Sequence, residues 1–351
     1  MSKMLSARAT ETESIVSVGL DVHKESVQVC VLDGAGRVLR NCRVPNALTA
    51  IVAAIRGPSR VTGLALECGT GVAALADALI QATGWDVHLC HPGYVRRMRQ
   101  NPDKTDLSDA HLLADLVRVG YLPRVWLAPP AVRDLRAVVR YRQQLVDRAR
   151  NTKLRIRALL REHRVPDVPR SLWSQRGLGR LRTVPSLPPQ ARWVLENHLD
   201  DLASDTARLA RVTTRLKEVA SEDAWITGLL TQPGIGLVTA CVLRAEIGYV
   251  GRFRTAKQLG RFCGVSPCNA SSGNRQADAG LVHGCSHLLR ATLIEAAHRL
   301  SQHDPRWRAF KAQLRARGKA GSVIAAAIAN RWARSLFHTL RAVETAAPVA
   351  A

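Results

Sequence analysis

Short apolar runs separated by polar turns dominate the first part of the chain. Residues 15–22 (Ile-Val-Ser-Val-Gly-Leu-Asp-Val) read as a buried strand with Asp21 near its end. Residues 26–32 alternate and are rich in Val, Asp33-Gly34 is a turn signal, and 38–44 supply a third strand. The opening is therefore expected to be a three-stranded antiparallel meander. A helix near 47–55 follows, then an apolar run at 61–67 that again ends in a carboxylate, Glu67. Residues 71–83 read as helix, 86–90 as strand and 92–100 as helix. Leu107, Leu112, Leu113, Leu116 and Val117 then mark a helix starting near Asp106. The order βββαβαβα predicts a mixed sheet with helices on its faces, a fold in which strand ends carry the site.

The pattern changes after residue 130. Leu135, Val139, Val146, Ala149, Ile156 and Leu160 keep a 4/3 spacing, interrupted at Arg142 and Lys153 and broadened by Val138, Leu145 and Leu159. This predicts a long helix. Residues 165–190, with Pro166, Pro169, Pro185, Pro188 and Pro189, read as a linker or irregular loop despite Trp173. Leu195, Leu199, Leu202, Thr206, Leu209, Thr213 and Leu216 form a second 4/3 seam. Two such helices can pair within one chain or between chains. A Pro-Gly-Ile-Gly turn at 233–236 leads into an apolar helix over 237–247 and is similar to a helix-hairpin-helix element. There the backbone N–H groups at Gly234 and Gly236 could take a phosphate, or the turn could be a plain connection. Residues 262–275 read as a loop, 290–300 and 322–340 as apolar-faced helices, and 311–319 as a basic link between them. The expectation is an all-helical second domain.

Charge narrows the function. The 351 residues carry 51 Lys and Arg against 28 Asp and Glu, a formal net charge of +23, which calls for a polyanionic partner, most often nucleic acid. Aromatics make up only 4%, so neutralising the phosphate backbone with Arg is the expected mode rather than stacking on aromatic platforms. Residues 133–164 hold eleven Arg or Lys against three acids; Arg140, Arg148, Lys153 and Arg157 are candidate phosphate contacts. Residues 1–14 lack the apolar core of a signal peptide, and no apolar run approaches membrane-spanning length. Eight scattered Cys without a Cys-x-x-Cys are expected to be reduced thiols, and the protein to be cytoplasmic and nucleoid-associated, with no membrane partner. Cys263, Cys268, His283, Cys285 and His287 fit no common zinc spacing.

Asp106 and Asp109 stand three residues apart, on one face of their helix. Adjacent carboxylates repel, and a hard divalent cation relieves them. Alternatively Asp106 is an N-cap and Asp109 complements the helix dipole. Asp21 and Glu67 at strand ends add two further carboxylates, and four together could hold two metal ions beside a phosphodiester.

The same residues carry a resemblance. Gly19-Leu20-Asp21-Val22-His23-Lys24, Leu66-Glu67 and Lys104-Thr105-Asp106-Leu107-Ser108-Asp109-Ala110 resemble the DEDD transposases of the insertion-sequence one-ten family, and motif order matches over roughly residues 15–340. The resemblance implies an RNase H-like domain of the Holliday-junction resolvase type. In it Asp21, Glu67, Asp106 and Asp109 would bind Mg²⁺ (or Mn²⁺). Gly-x-x-Pro followed by Ser271-Ser272-Gly273 resembles the family's second domain and implies Ser272 as nucleophile, with Ser271 the fallback and Arg275 a nucleic-acid contact. Here Ala277-Asp278-Ala279-Gly280 replaces the family's basic stretch, as His283 to His287 replaces its Lys or Arg pattern. The implied organisation is a disordered 1–14, an RNase H-like 15–125, coiled-coil helices with a Pro-rich linker over 126–222, and a helical serine-containing domain over 223–345. The implied activity is Mg-dependent strand cleavage and exchange through a phosphoserine. The two halves of the site come from different domains and from different subunits of a dimer or tetramer. The implied partners are donor and target double-stranded DNA and a structured noncoding guide RNA. Two other readings use the same residues. One is a nuclease or junction resolvase with water as nucleophile. The other is a non-catalytic nucleic-acid scaffold, whose binding would be indifferent to Mg²⁺ and to Asp21→Ala.

Overall fold

The computed structural model describes residues 14–57, 59–98, 105–165, 171–271, 273 and 278–346. The expected disordered N-terminus, Pro166, Pro169, Lys104, Ser272 and Arg275 lie outside them. The chain divides into two compact units, residues 1–127 and 128–351.

In the first unit the elements follow the alternation of the sequence: β1 (Ile15–Val22), β2 (Ser26–Asp33), β3 (Val38–Pro45), α1 (Leu48–Ile55), β4 (Arg60–Glu67), α2 (Val72–Thr83), β5 (Val87–Cys90), α3 (Pro92–Met98), α4 (Asp106–Arg118) and β6 (Arg124–Val125). The six strands form one mixed sheet in the order β3-β2-β1-β4-β5-β6. β1 and β2 pair antiparallel, as do β2 and β3, whereas β1 runs parallel to β4 and β4 to β5. Alternation sends Val16, Val18, Leu20, Leu64 and Leu66 into a core shared with Ile51, Ile55, Ala76 and Leu79 of α1 and α2. The other face, bearing Gly19 and Ala65, is covered by α4. β1 meets α4 so closely that a Cβ at Gly19 would strike the carbonyl oxygen of Ala110 and lie 2.5 Å from the Ala114 nitrogen. Only glycine allows this approach.

The second unit holds α5 (Pro130–Glu162), α6 (Gln175–Arg182), α7 (Pro189–Glu222), α8 (Ala224–Leu230), α9 (Leu237–Ile247), α10 (Ala256–Phe262), β7 (Pro267–Asn269), β8 (Asp278–Leu281), α11 (His287–His303), α12 (Pro305–Ala316) and α13 (Gly321–Ala346). α5 and α7 pack antiparallel, and their shared seam divides between two cores. Val139 and Leu145 share one core with Val212 and Leu216, while Ile156 and Leu160 share another with Leu195 and Leu199.

Four expectations are corrected. The Pro-rich stretch contains α6, capped by Ser174 Oγ on the Gly177 N–H, and it buries Leu172, Leu181 and Leu187; the described prolines flank this helix rather than interrupt it. Residues 311–316 close α12, which Asp304 caps and Pro305 opens, so the basic link is largely helix. The second unit is not all-helical, because β7 and β8 pair as a short hairpin. Along the long seams Leu145 is buried where the spacing predicts Val146, and a charged residue, Asp205, is among those buried in α7.

Candidate active site

Strand parity and helix direction together bring the acids to one end of the sheet. Leu20 pairs with Leu66 in the parallel β1–β4 register, so one step further along each strand come Asp21 and Glu67. Both continue the alternation of Gly19 and Ala65, on the face that α4 covers. α4 runs against these strands, with Ala110 over Gly19 and Val117 over Gly63, so its first turn lies at the strand ends where Asp21 and Glu67 sit. Thr105, not Asp106, is the N-cap: its hydroxyl accepts from the Ser108 N–H at 3.1 Å, and Ser108 Oγ accepts from the Thr105 N–H at 3.2 Å. This reciprocal cap fixes the helix start and leaves both Asp side chains in the first turn, where the helix dipole favours negative charge.

The ligand atoms of Asp21, His23 and Asp106 lie within 4.8 Å of one another. His23 Nε2 stands 3.4 Å from Asp21 Oδ2 and 3.2 Å from Asp106 Oδ1. Glu67 and Asp109 lie outside this tight group; Asp109 is buried one turn along α4 and Glu67 half-buried at the end of β4. His23 belongs to the opening motif, yet the sequence reading does not single it out as a site residue. Its i, i+2 relation to Asp21 at a strand end is the available signal, since alternation puts both side chains on one face. The turn holding it is pinned by Asn46, whose amide donates to the His23 carbonyl at 2.9 Å. Beside Glu67, burial and then the Glu67 charge push the Cys90 thiol up to about 12, so it stays a neutral neighbour.

Two carboxylate oxygens and an imidazole nitrogen, gathered while the side chains of Asp106 and His23 remain 41% and 44% exposed, fit a divalent cation open to an outside ligand. Asp21, His23 and Asp106 could hold it, with Glu67 and Asp109 close behind on β4 and α4.

The other predicted residues divide. Ser271 is exposed in the connection between β7 and β8, and its N–H donates to Asn269 Oδ1 at 2.7 Å. Arg140 forks onto buried Glu246 at 3.0 and 3.2 Å, and Arg148 pairs with buried Asp205 at 2.8 Å. Lys153 and Arg157 lie over the Trp173 ring, at 5.4 and 5.6 Å from its centre. Gly234 takes a left-handed φ of 79°, and Gly236 caps α9 in extended conformation. Among the described residues the Cys and His side chains around residues 263–287 form no metal-ligand group. No helix among them is long and apolar enough to cross a membrane.

A mixed sheet of this order with acids at its strand ends is consistent with an RNase H-like domain, the fold expected of a DEDD transposase. Comparison with known families agrees in both units. The model DEDD_Tnp_IS110 (Transposase) matches residues 18–165, and the model Transposase IS116/IS110/IS902 family matches residues 227–312. Similar proteins include the transposase for insertion sequence element IS1111A of Coxiella burnetii, 25% identical over 346 residues covering 96% of this chain and 93% of the relative. The insertion element IS110 43.6 kDa protein of Streptomyces coelicolor is 26% identical over 388 residues, with 94% and 95% covered. The transposase for insertion sequence element IS1328 of Yersinia enterocolitica is 25% identical over 290 residues, with 81% and 83% covered. The chain belongs to the IS110 family of transposases. That membership makes it an enzyme acting on DNA and removes the reading as a non-catalytic scaffold.

Proposed function

We propose that this transposase cuts and rejoins the DNA strands of its insertion sequence by transesterification. Asp21, Glu67, Asp106 and Asp109 hold Mg²⁺ or Mn²⁺ at the end of the sheet, with His23 beside them. When bound, the cation neutralises negative charge on the phosphodiester and lowers the barrier to its attack. Ser272 supplies the nucleophilic oxygen, with Ser271 the fallback. Its Oγ loses its proton as the Oγ–phosphorus bond forms and one phosphorus–oxygen bond of the backbone breaks, and the leaving oxygen keeps the displaced pair of electrons and gains a proton, ending as a hydroxyl. A hydroxyl of the exchanged strand then displaces the serine. Each ester bond broken is matched by one formed, so exchange needs no ATP. The serine acts from the second unit on a phosphate held at the first, within an oligomer whose long helices pair as coiled coils. A structured noncoding RNA guides donor and target duplexes to it.

The observation that carries this reading is the meeting of Asp21, His23 and Asp106 at the strand ends, fixed by a capped helix start in a chain of this family. The test is excision of the intact element in cells, read by amplifying the circular junction. Wild type is expected to form the junction; Asp106→Ala and Ser272→Ala are not. If Ser272→Ala still forms it while Asp106→Ala does not, the serine assignment fails and water becomes the nucleophile. If Asp106→Ala forms it as wild type does, the carboxylate site fails.

A further inference from the structure

The serines of the proposed reaction belong to a hairpin with little to hold it. β7 and β8 are three and four residues long and pair at Pro267 with Leu281 and at Asn269 with Asp278. An isolated two-stranded hairpin is marginal in water. Among the described residues, none between Val265 and Leu288 belongs to the core of the unit. The connection that carries Ser271, with Ser272 next in sequence, therefore takes its position from the two feet of the hairpin, at residues 264–266 and 282–285.

Each foot is gripped by one side chain from a helix. On the entering foot Asn330, of α13, donates its amide to the Val265 carbonyl at 3.1 Å and to Ser266 Oγ at 3.0 Å. On the leaving foot the Arg290 guanidinium, of α11, donates to the Val282 carbonyl and, at 2.8 Å, to Cys285 Sγ. The feet also meet each other: the Val282 N–H donates to the Ser266 carbonyl at 3.1 Å. Gly264 takes a left-handed φ of 70°, and a Cβ there would strike the Cys285 sulfur and stand 2.9 Å from Arg290 Nε. The Arg290 grip is not what stability alone would select. Its Nε is buried with no hydrogen-bond partner among the described residues, and such an orphan is costly.

We propose that Asn330 and Arg290 are positioning residues for strand cleavage: they clamp the feet of the serine hairpin and so fix where the nucleophile stands. Neither side chain takes part in making or breaking a bond. A reacting group displaced by about 1 Å can lose roughly 100-fold in rate, so a few hydrogen bonds at the feet of an otherwise unsupported hairpin control much of the reaction. This role rests on the serine reading above, but not on which of Ser271 and Ser272 attacks, because both follow the same strand.

The test pairs excision of the intact element in cells with amide hydrogen exchange, unfolding midpoint and binding of an element-end duplex by the purified full-length protein. Asn330→Leu and Arg290→Met each keep the bulk of the side chain and remove its donors. Each is expected to speed exchange of the amides at 278–282 by at least ~10-fold, because local opening no longer has to break the grip. Excision should fall at least ~10-fold. The midpoint and the duplex affinity should stay near wild type, since the hairpin adds nothing to the core. Arg290→Lys is the rescue: it puts a methylene where the orphan Nε stands and keeps a terminal donor, so exchange and excision should return to within about 3-fold of wild type. Ser266→Ala removes one of the two acceptors of Asn330 and should have a smaller effect than Asn330→Leu. Wild-type excision in both Asn330→Leu and Arg290→Met would overturn the proposal. So would lost excision with unchanged exchange, or with a midpoint that falls in step. A double variant, Ser271→Ala with Ser272→Ala, keeps the two readings apart. Faster exchange with normal excision in the clamp variants, beside an inactive double serine variant, would overturn this proposal alone. Full excision by the double serine variant, beside clamp variants that do not excise, would overturn the nucleophile reading alone, and the clamp would then serve another group of the hairpin.

Discussion

Carboxylates occupy two kinds of place in this molecule. In the helical unit three of them, Glu246, Asp205 and Glu344, are buried and matched. Glu246, 5% exposed, takes the fork of Arg140, and Asp205, 2% exposed at its side chain, takes Arg148. Glu344 accepts from the Trp225 indole and from the Val250 and Gly251 N–H groups. At the end of the sheet, Asp21 and Asp106 are instead gathered by backbone architecture, at an opening where Asp106 stays 41% exposed and one imidazole touches both. An acid in the first setting holds helices together, whereas an acid in the second is open to a ligand from outside. The difference teaches how to separate structural from chemical acids: stripping the partner from the first kind should cost stability, and altering the second kind should cost activity.

The sharpest break is Asp106→Asn. It keeps the shape of the side chain and lies in the first turn of a helix capped by another residue, Thr105. Excision should fall by at least ~100-fold while the unfolding midpoint stays where it is. A matching fall in the midpoint would put Asp106 with the structural acids.

Gly19→Val should have the largest effect on stability. The new side chain would meet the backbone of α4 at Ala110 and Ala114, and backbone cannot yield as a side-chain tip can. A loss of about 3 kcal/mol or more is expected in denaturant unfolding, with activity lost alongside. An unfolding curve like that of wild type would show that α4 can move off the sheet, and with it that the strand ends do not fix the carboxylates.

The matched pairs predict an asymmetry. Arg148→Ala leaves the Asp205 carboxylate buried, with Arg208 Nη1 at 3.9 Å as its remaining cation, and should cost ~1–2 kcal/mol. Asp205→Leu leaves only Arg148, which is 53% exposed and can turn to water, so it should be neutral or stabilising. Equal losses from both substitutions, measured by denaturant unfolding, would break the assignment of Asp205 as a matched structural acid.

The first unit is largely legible in the sequence because its strands alternate. Asp21 and Glu67 fall at strand ends by simple counting, and the start of α4 at Asp106 follows from its apolar spacing. What counting does not reach is three-dimensional. His23 joins the acids only because the β1–β2 turn folds it back toward the start of α4. The buried Asp205 breaks an apolar seam because its partner, Arg148, comes from a different helix. The arginines at 140 and 148 look like a free basic face in the sequence, and their acids lie about sixty to a hundred residues away along the chain. The hairpin around the serines escapes notice because strands of three and four residues are too short to show a period.

Thr105→Ala tests the helix start more gently. Loss of the cap should cost about 1 kcal/mol, and because the same turn carries Asp106, excision should fall more than that stability loss alone accounts for. Thr105→Ser keeps the hydroxyl and should restore both. Rescue of stability without rescue of activity would separate the cap from the placement of the acid.

The smallest effect concerns a second histidine, on β5 opposite Ala65 of β4. His88 is 8% exposed and stands 3.0 Å from Asp86 Oδ2, near Gly63. Burial holds its pKa below the ordinary histidine value of 6.5; Asp86 opposes this and Arg124 adds to it. The native state therefore binds fewer protons than the unfolded chain as pH falls through 6.5, and stability should decline on acidification. His88→Gln removes that group, so between about pH 7.5 and about pH 5.5 its thermal midpoint should fall less than that of wild type. A steeper fall in the variant would mean that the Asp86 contact outweighs burial, and that His88 is a matched charge like those of the helical unit rather than a neutral ring held in the sheet.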